Sequence, residues 1–281
     1  MTQAIPSPFV FISYYRADTD LVRRLSDDLH AQGISSYGTI SINNSTIENN
    51  ISITKTARQN GNPLALNNTM PLNSHSGGGG PLLYGGGISN YGSLSLGNST
   101  VSGNKTGING GGIDNAGNIY ITYSTIYNNS AVKGGGIANE GSANNTNNYD
   151  EILTSIIAGN QAANSPDIAG AVTLFYPNLI QNPSGATISF DQTNDPSINQ
   201  LTHRLITGTS PQLAPLQTDP PGSDTPPTHA LLPNSPAIDQ VPPGDYCGSK
   251  NSSLVSVDER GTSRPQGKGC DLGAYEYVPT T

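Results

Sequence analysis

Residues 33–50 recur almost letter for letter at 87–104, and parts of the same unit return at 112–121 and 124–129. Nothing else in the chain constrains its fold as strongly. A period near 25 residues, with apolar residues at alternate positions and no helical spacing inside the unit, specifies stacked β-coils. The pairs Ile40/Ile42, Leu64/Leu66, Leu94/Leu96 and Ile119/Ile121 follow one another at steps of 24, 30 and 25 positions. Alternation at period two puts both members of a pair on one face of a strand. The longest step contains the glycines 77–80, read as a loop inserted into one coil.

Two more apolar columns fall into line: Ile34, Ile88, Ile113 and Ile137, and then Ile47, Val101, Ile126 and Ile157. Asn90, Asn115 and Asn139 follow the first column by two positions, and Asn50, Asn104, Asn129 and Asn160 follow the second by three. Asparagine tolerates left-handed backbone angles and bonds to nearby main chain, so these columns are read as bends whose side chains form ladders. Glycine triplets at 85–87, 110–112 and 134–136 are read as tight turns between coils. The expected fold is all-β, with about five coils over residues 33–180. Residues 1–32 form a separate strand–helix segment, an N-terminal cap. Residues 181–281 form a loop-rich module, because ten prolines between Pro211 and Pro243 remove backbone donors.

Twenty acidic against 12 basic residues leave a net charge of −8, which excludes a general nucleic-acid binder. No apolar run is long enough to span a membrane. Phe9–Tyr15 is short and has no basic residue before it, so no export signal is expected there. Cys247 and Cys270 are read as a disulfide, worth about 3 kcal/mol through loop entropy, in preference to two unpaired thiols. A single pair with no CxxC spacing is no zinc site. Asn-x-Ser/Thr triplets at Asn44, Asn98 and Asn104 are read as products of the repeat rather than glycosylation sites.

Residues 5–31 break the rhythm. Phe9–Tyr14 has a strand pattern, and Asp18 caps a helix with Leu21, Val22, Leu25 and Leu29 at helical spacing. Phe11–Asp18 followed by Leu21–Ile34 resembles the first strand and helix of a TIR domain. The resemblance covers about 30 residues of a family whose NAD-cleaving members depend on a glutamate much later in the fold. No position matches that glutamate. The nearest candidate, Glu48, shares an outward repeat slot with Ser102, Tyr127 and Ala158.

The C-terminal segments 228–239, 258–265 and 270–276, together with the Gly-Gly-Gly-Ile and Asn-Ser-Thr coils, resemble bacterial surface proteins of the choice-of-anchor Q type. That resemblance covers residues 33–277 and implies an exported, surface-associated, right-handed parallel β-helix, although neither an export signal nor a membrane anchor is seen in this sequence. Asp239, Asp258, Glu259, Asp271 and Glu276, with Arg260 and Arg264, admit two readings: calcium held by carboxylates, or charge-assisted Arg–carboxylate bonds closing the end of the stack, the preferred one.

Three functions follow as expectations. The first is a non-catalytic surface or secreted scaffold, expected to be monomeric, whose partner is a polysaccharide or a surface protein. The second is a carbohydrate-active lyase or hydrolase using Asp114 and Glu140 with Lys105 and Lys133 nearby. The third is a truncated TIR-type signalling or NAD-cleaving protein. The scaffold is preferred, because the apolar and asparagine columns leave few repeated residues for chemistry. No catalytic, cofactor-binding or metal-ligating residue is assigned.

Overall fold

The computed structural model describes residues 34–36, 38–52, 54–59, 62–67, 85–141, 150–190, 204–244, 246–248 and 256–279. The TIR-like segment and the glycines 77–80 lie outside the described residues. Within them the chain is all-β and dominated by parallel pairing. Each repeat contributes three short strands in succession, and each strand pairs with its counterpart one repeat on, so three parallel ladders grow side by side.

The first ladder runs β1 (Ile34–Ser36), β7 (Ile88–Asn90), β11 (Ile113–Asn115), β14 (Ile137–Asn139) and β17 (Ile168–Phe175). The second runs β2 (Thr39–Asn43), β8 (Ser93–Gly97), β12 (Asn118–Thr122), β15 (Glu151–Leu153), the second half of β17 and β19 (Ala186–Phe190). The third runs β3 (Thr46–Glu48), β9 (Thr100–Ser102), β13 (Thr125–Tyr127), β16 (Ile156–Ala158), β18 (Asn178–Ile180) and β20 (Leu205–Ile206). Strand β17 is long enough to belong to two ladders, which fuses the first two into one curled ten-stranded sheet. Parallel pairing thus continues past residue 180 to Ile206.

The apolar columns set this register. Ile34 faces Ile88, then Ile113, Ile137 and Ile168. Ile42, Leu96, Ile121 and Ile152 align in the second ladder, and Ile47, Val101, Ile126 and Ile157 in the third. These residues pack into a single cluster between the ladders, and none is more than 8% exposed. A one-residue slip would turn each column outward, so the pattern admits one register.

One expected repeat is absent from the ladders. Ile40 and Ile42 align directly with Leu94 and Leu96, and the Leu64/Leu66 pair does not stand between them. Instead β5 (Thr54–Gln59) and β6 (Asn62–Asn67) pair antiparallel as a hairpin. The apolar alternation at 64–66 was period-two strand pattern, which a hairpin satisfies as well as a coil. Before the hairpin, β4 (Ile51–Ser52) still pairs in parallel with β10 (Lys105–Thr106).

The interior column sets the first prediction. Ile121 is fully buried between Leu96 and Ile152. Ile121→Ala should cost about 2–5 kcal/mol in denaturant unfolding, the range for a buried isoleucine truncated in a core that cannot collapse.

Candidate functional site

Each corner between ladders carries a polar ladder, and all three run in one direction. At the corner after the third ladder, Asn50 Nδ2 donates to Asn104 Oδ1 (2.8 Å), Asn104 to Asn129 (3.0 Å) and Asn129 to Asn160 (3.0 Å). Each Oδ1 also accepts the main-chain N–H of the preceding Asn, and each second Nδ2 hydrogen goes to a backbone carbonyl, Ile47, Val101 or Ile126. The series ends where Asn160 donates to Asp167 Oδ1 (2.9 Å). After the first ladder, Asn90 donates to Asn115 (2.6 Å), Asn115 to Asn139 (2.7 Å) and Asn139 to Asp150 Oδ2 (2.9 Å). An interior rung must both donate and accept, which an amide does. The last rung need only accept, which a carboxylate does.

The third corner uses serine. The main-chain N–H groups of Ser45, Ser99, Ser124 and Ser155 donate in turn to Ser99 Oγ, Ser124 Oγ, Ser155 Oγ and Asn178 Oδ1. The sequence signal was the Ser-Thr pair heading 45–47, 99–101 and 124–126, which the sequence reading passed over. Backbone angles also correct the asparagine assignment. The left-handed residues are not the rungs but their neighbours: Asn49, Gly103, Asn128 and Gly159 before one amide ladder, and Asn44, Asn98, Tyr123, Thr154 and Tyr176 at the serine corner. The rungs hold the bend and the neighbours make it. At the glycine triplets a side chain has no room: a Cβ on Gly86 would sit 2.2 Å from Gly111 O of the next repeat. Asn98 and Asn104 are fully buried, so the repeat-derived glycosylation triplets there are inaccessible.

The C-terminal segment lies along the outer side of the third ladder. Thr46 Oγ1 donates to Pro227 O (2.7 Å), Asn98 Nδ2 to Val257 O (2.9 Å) and Thr100 Oγ1 to Glu259 Oε2 (2.6 Å). Further along, Ala274 N donates to Thr125 Oγ1 (3.0 Å) and Gly273 N to Thr154 O (2.9 Å). His229 fills the gap over Ser102 and Tyr127. Its Nδ1 lies 2.8 Å from Ala214 O, which can only accept, so Nδ1 carries the hydrogen and Nε2 accepts from Ser102 Oγ (2.8 Å). Burial holds this imidazole below its ordinary pKa, against the pull of the Ala214 bond. The segment therefore straps several repeats together along a flank. It does not close the end of the stack as the sequence reading expected, because Thr46, Thr100 and Thr125, which follow the ladder serines Ser45, Ser99 and Ser124, give it a lateral docking row.

The charged residues stiffen this strap. Arg264, fully buried, binds Glu276 Oε2 (2.8 Å) and the carbonyls of Asp271 (3.0 Å) and Gly273 (2.8 Å), and its guanidinium lies 4.3 Å over the Tyr123 ring. Arg260 binds Asp258 (2.6 Å) and Asp219 and packs 3.5 Å over Tyr275. Asp258, Asp271 and Glu276 each accept main-chain N–H bonds on both oxygens, and Asp239 accepts one from Gly269. Burial, and then the neighbouring Glu276 carboxylate, push Asp271 up to about 7. Cys247 and Cys270 form a buried disulfide within the same body.

Glu259, only 3% exposed, is a different case. Thr46 Oγ1 lies 2.7 Å from Pro227 O and 3.0 Å from Glu259 Oε1, yet a hydroxyl has one hydrogen to give. A protonated Glu259 supplies the missing one, donating to Thr46 Oγ1 while accepting from Thr100. Burial pushes its pKa well above the ordinary 4.5, the two threonine bonds oppose the rise, and adjacent Asp258 adds to it. Burial likewise raises Asp150, Asp167 and Glu276.

The two carboxylates proposed for chemistry lie in different surroundings. Asp114 is 1% exposed and aligns with Ser89 and Ala138 of the first ladder. Glu140 lies past the end of β14 at the surface, with Asn109 at 2.8 Å and Lys133 at 4.0 Å. Lys105, in β10, is exposed. Glu48 keeps the slot of Ser102, Tyr127 and Ala158. No cluster of three metal-ligating side chains and no helix long and apolar enough to cross a membrane occurs among the described residues.

What remains open is the outer side of the second ladder. The first ladder's outward residues Ser89, Asp114, Ala138 and Ala169 are buried, and the strap covers the third. On the second, Ser41, Ser95, Tyr120, Glu151, Thr173 and Ser189 form one cross-strand row, flanked by Thr39, Ser93 and Asn118. These are exposed or half-buried. At about 4.8 Å per parallel strand, the row of six is about 24 Å long. A shallow groove lies along Thr39, Ser93, Ser95, Asn118, Tyr120 and Glu151.

Two predictions follow from the ladders and the strap. Asn129→Ala leaves the Asn104 donor and the Asn160 acceptor unmatched in the interior, and should lower the unfolding free energy by about 3 kcal/mol or more. For Glu259, the folded state holds the proton more tightly than the unfolded chain. Stability therefore falls as pH rises from the ordinary value toward the folded one, and is flat above it. His229 acts oppositely, but only below its ordinary 6.5. Above pH 7, past the reach of His229 and of Asp271, the wild-type melting temperature should still fall as pH rises, and Glu259→Gln, whose amide keeps both threonine bonds, should flatten that fall; equal slopes for the two proteins would disprove the neutral carboxyl. No family model, no curated protein and no solved structure matches this chain.

Proposed function

We propose that the three ladders wind as a right-handed parallel β-helix with a choice-of-anchor Q type C-terminal module. We further propose that the protein is a non-catalytic secreted or surface scaffold that binds an extended polysaccharide along the second ladder. The observation that carries this reading is the row Ser41–Ser95–Tyr120–Glu151–Thr173–Ser189. A row of hydroxyl and carboxylate groups at strand spacing offers the same contacts again and again, which suits a repetitive hydroxylated chain better than a compact molecule. Ordered waters bridge such faces to their ligands at little entropic cost. The net charge of −8 disfavours nucleic acid as the polymer.

The test is a polysaccharide panel comprising soluble cellulose oligomers, chitosan and polygalacturonate, read by pull-down and by release of reducing ends. Binding without release is expected; release of ends would favour the enzyme reading instead. Ser95→Lys lays a long side chain across the row at a surface site, with little effect on folding. It should weaken binding at least tenfold, and unchanged binding would move the site off this face. NAD consumption by the full chain would revive the TIR reading.

A further inference from the structure

The stack opens at one further place, on the side between the third and first ladders. There the chain leaving each third-ladder strand goes on pairing for a short stretch. Ser130 bridges to Lys105 and Gln161 to Ser130, and the N–H groups of Ser130 and Gln161 donate to Asn104 O and Asn129 O (2.8 Å each). This row stops with the amide ladder. Asn160 stands three residues past Ile157, and three past Ile180, the partner of Ile157, stands Pro183. Proline has neither a side-chain amide to serve as a rung nor a main-chain N–H. Asp167 receives the Asn160 amide instead (2.9 Å), and the N–H of Ser184, next in the bridge row, turns to Asn182 Oδ1 (3.1 Å).

A cleft of about 750 Å³ lies at this break, a volume typical of small-molecule sites. Its polar wall is built from Gln161, Asp167, Gln181, Asn182 and Thr207. The acceptors of that wall are committed. Gly159 N donates to Gln181 Oε1 (2.9 Å) and Ser184 N to Asn182 Oδ1. Asp167 takes Asn160 Nδ2 on one oxygen and Asn182 N on the other (2.6 Å). A main-chain N–H can only donate, so these bonds fix the two amides with their oxygens turned to the backbone and their NH2 groups left over. No hydrogen bond among the described residues uses those NH2 groups, the exposed Gln161 side chain or the Thr207 hydroxyl. The remaining wall is apolar: Ala162, Pro166 and Pro183.

We infer that this cleft binds the acetamido group of an N-acetylated amino sugar. A surplus of N–H and O–H donors requires a ligand that accepts. An anionic acceptor is disfavoured, because Asp167 lies in the wall, no cationic side chain lines the cleft among the described residues, and the chain carries a net charge of −8. A metal ion or an ammonium group would need the oxygens that the backbone already holds. An acetamido group suits both halves of the wall. Its carbonyl accepts from Gln181 and Asn182, its methyl packs on Ala162 and the two prolines, and the sugar hydroxyls are left for Gln161 and Thr207. The site is separate from the second-ladder row and does not depend on it.

The experiment is a calorimetric titration of the full chain with the trimer of N-acetylglucosamine, the trimer of glucosamine and cellotriose. The acetylated trimer should bind at least about tenfold more tightly than either of the others, a difference of about 1.4 kcal/mol. Asn182→Asp keeps the oxygen that the Ser184 N–H needs and exchanges the free NH2 for a negative oxygen. It should weaken that binding at least about tenfold with the melting temperature unchanged, because Asn182 is exposed. Ala162→Leu, which fills the place of the methyl group, should weaken it similarly. Ser95→Lys, on the second ladder, should leave it unchanged. Absence of binding, or equal binding of the three sugars, overturns the acetamido site. Binding lost in Ser95→Lys but kept in Asn182→Asp and Ala162→Leu places the sugar on the second-ladder row and overturns the cleft.

Discussion

The structure depends on side-chain amides and hydroxyls that relay hydrogen bonds from repeat to repeat, the amides donating onward and the hydroxyls accepting main-chain N–H groups. A parallel ladder of three-residue strands gives few main-chain bonds per strand, and the chain must turn sharply between them. Each turn exposes backbone groups that cannot all reach one another. In the ladder through Asn104, Asn129 and Asn160, every amide uses both hydrogens and accepts twice. No other uncharged side chain of that length can do so. Aligned rungs polarise one another, and because every donor points the same way the accumulated dipoles favour a negative group at the receiving end. Asp150 and Asp167 occupy those ends. The desolvation that raises their pKa values is opposed by the amide bonds they receive.

With corners locked this way, the stack tolerates interruption between them. The hairpin of β5 and β6 leaves Ile42 facing Leu96 and Asn50 facing Asn104, as if the repeats were consecutive. Loop closure costs rise slowly with length, so an excursion costs little once its two ends are pinned. The strap uses the same tolerance from outside. It takes no place in the ladders but crosses several repeats, and its buried Arg264 reaches the Tyr123 ring at a corner. Breaking Arg264 from Glu276 would leave a buried charge uncompensated, so the strap holds as a unit.

The inward columns and the amide rungs were legible in the sequence because both recur at a fixed offset. Ile34, Ile88, Ile113 and Ile137 needed only alignment of the repeats. The hairpin was misread because alternation at 64–66 does not say whether a strand's partner is parallel or antiparallel. The serine ladder was overlooked because serine and threonine are abundant throughout the chain, and only the geometry separates a rung from a surface hydroxyl. The ladder ends were hidden for another reason: Asp150 and Asp167 each stand where an amide ladder stops, although the strands go on pairing beyond them. The open face could not be read at all. Its exposure depends on what covers the other two ladders, and the strap that covers the third comes from a part of the chain with no repeat.

A repeat stack uses each position for one purpose several times over. Inward positions must be apolar, corner positions must relay hydrogen bonds, and the Thr row outside the third ladder must accept the strap. Substitution at any of these is felt by the neighbouring repeats. The outer row of the second ladder carries no such obligation, so stacking alone would leave it serine or threonine, as at Ser41, Ser95, Thr173 and Ser189. Tyr120 and Glu151 depart from that default in adjacent strands while Ile121 and Ile152 beside them keep the core column. A departure confined to the exposed half of two neighbouring strands does nothing for the interior. It turns a uniform hydroxyl row into one with a distinct charged and aromatic position.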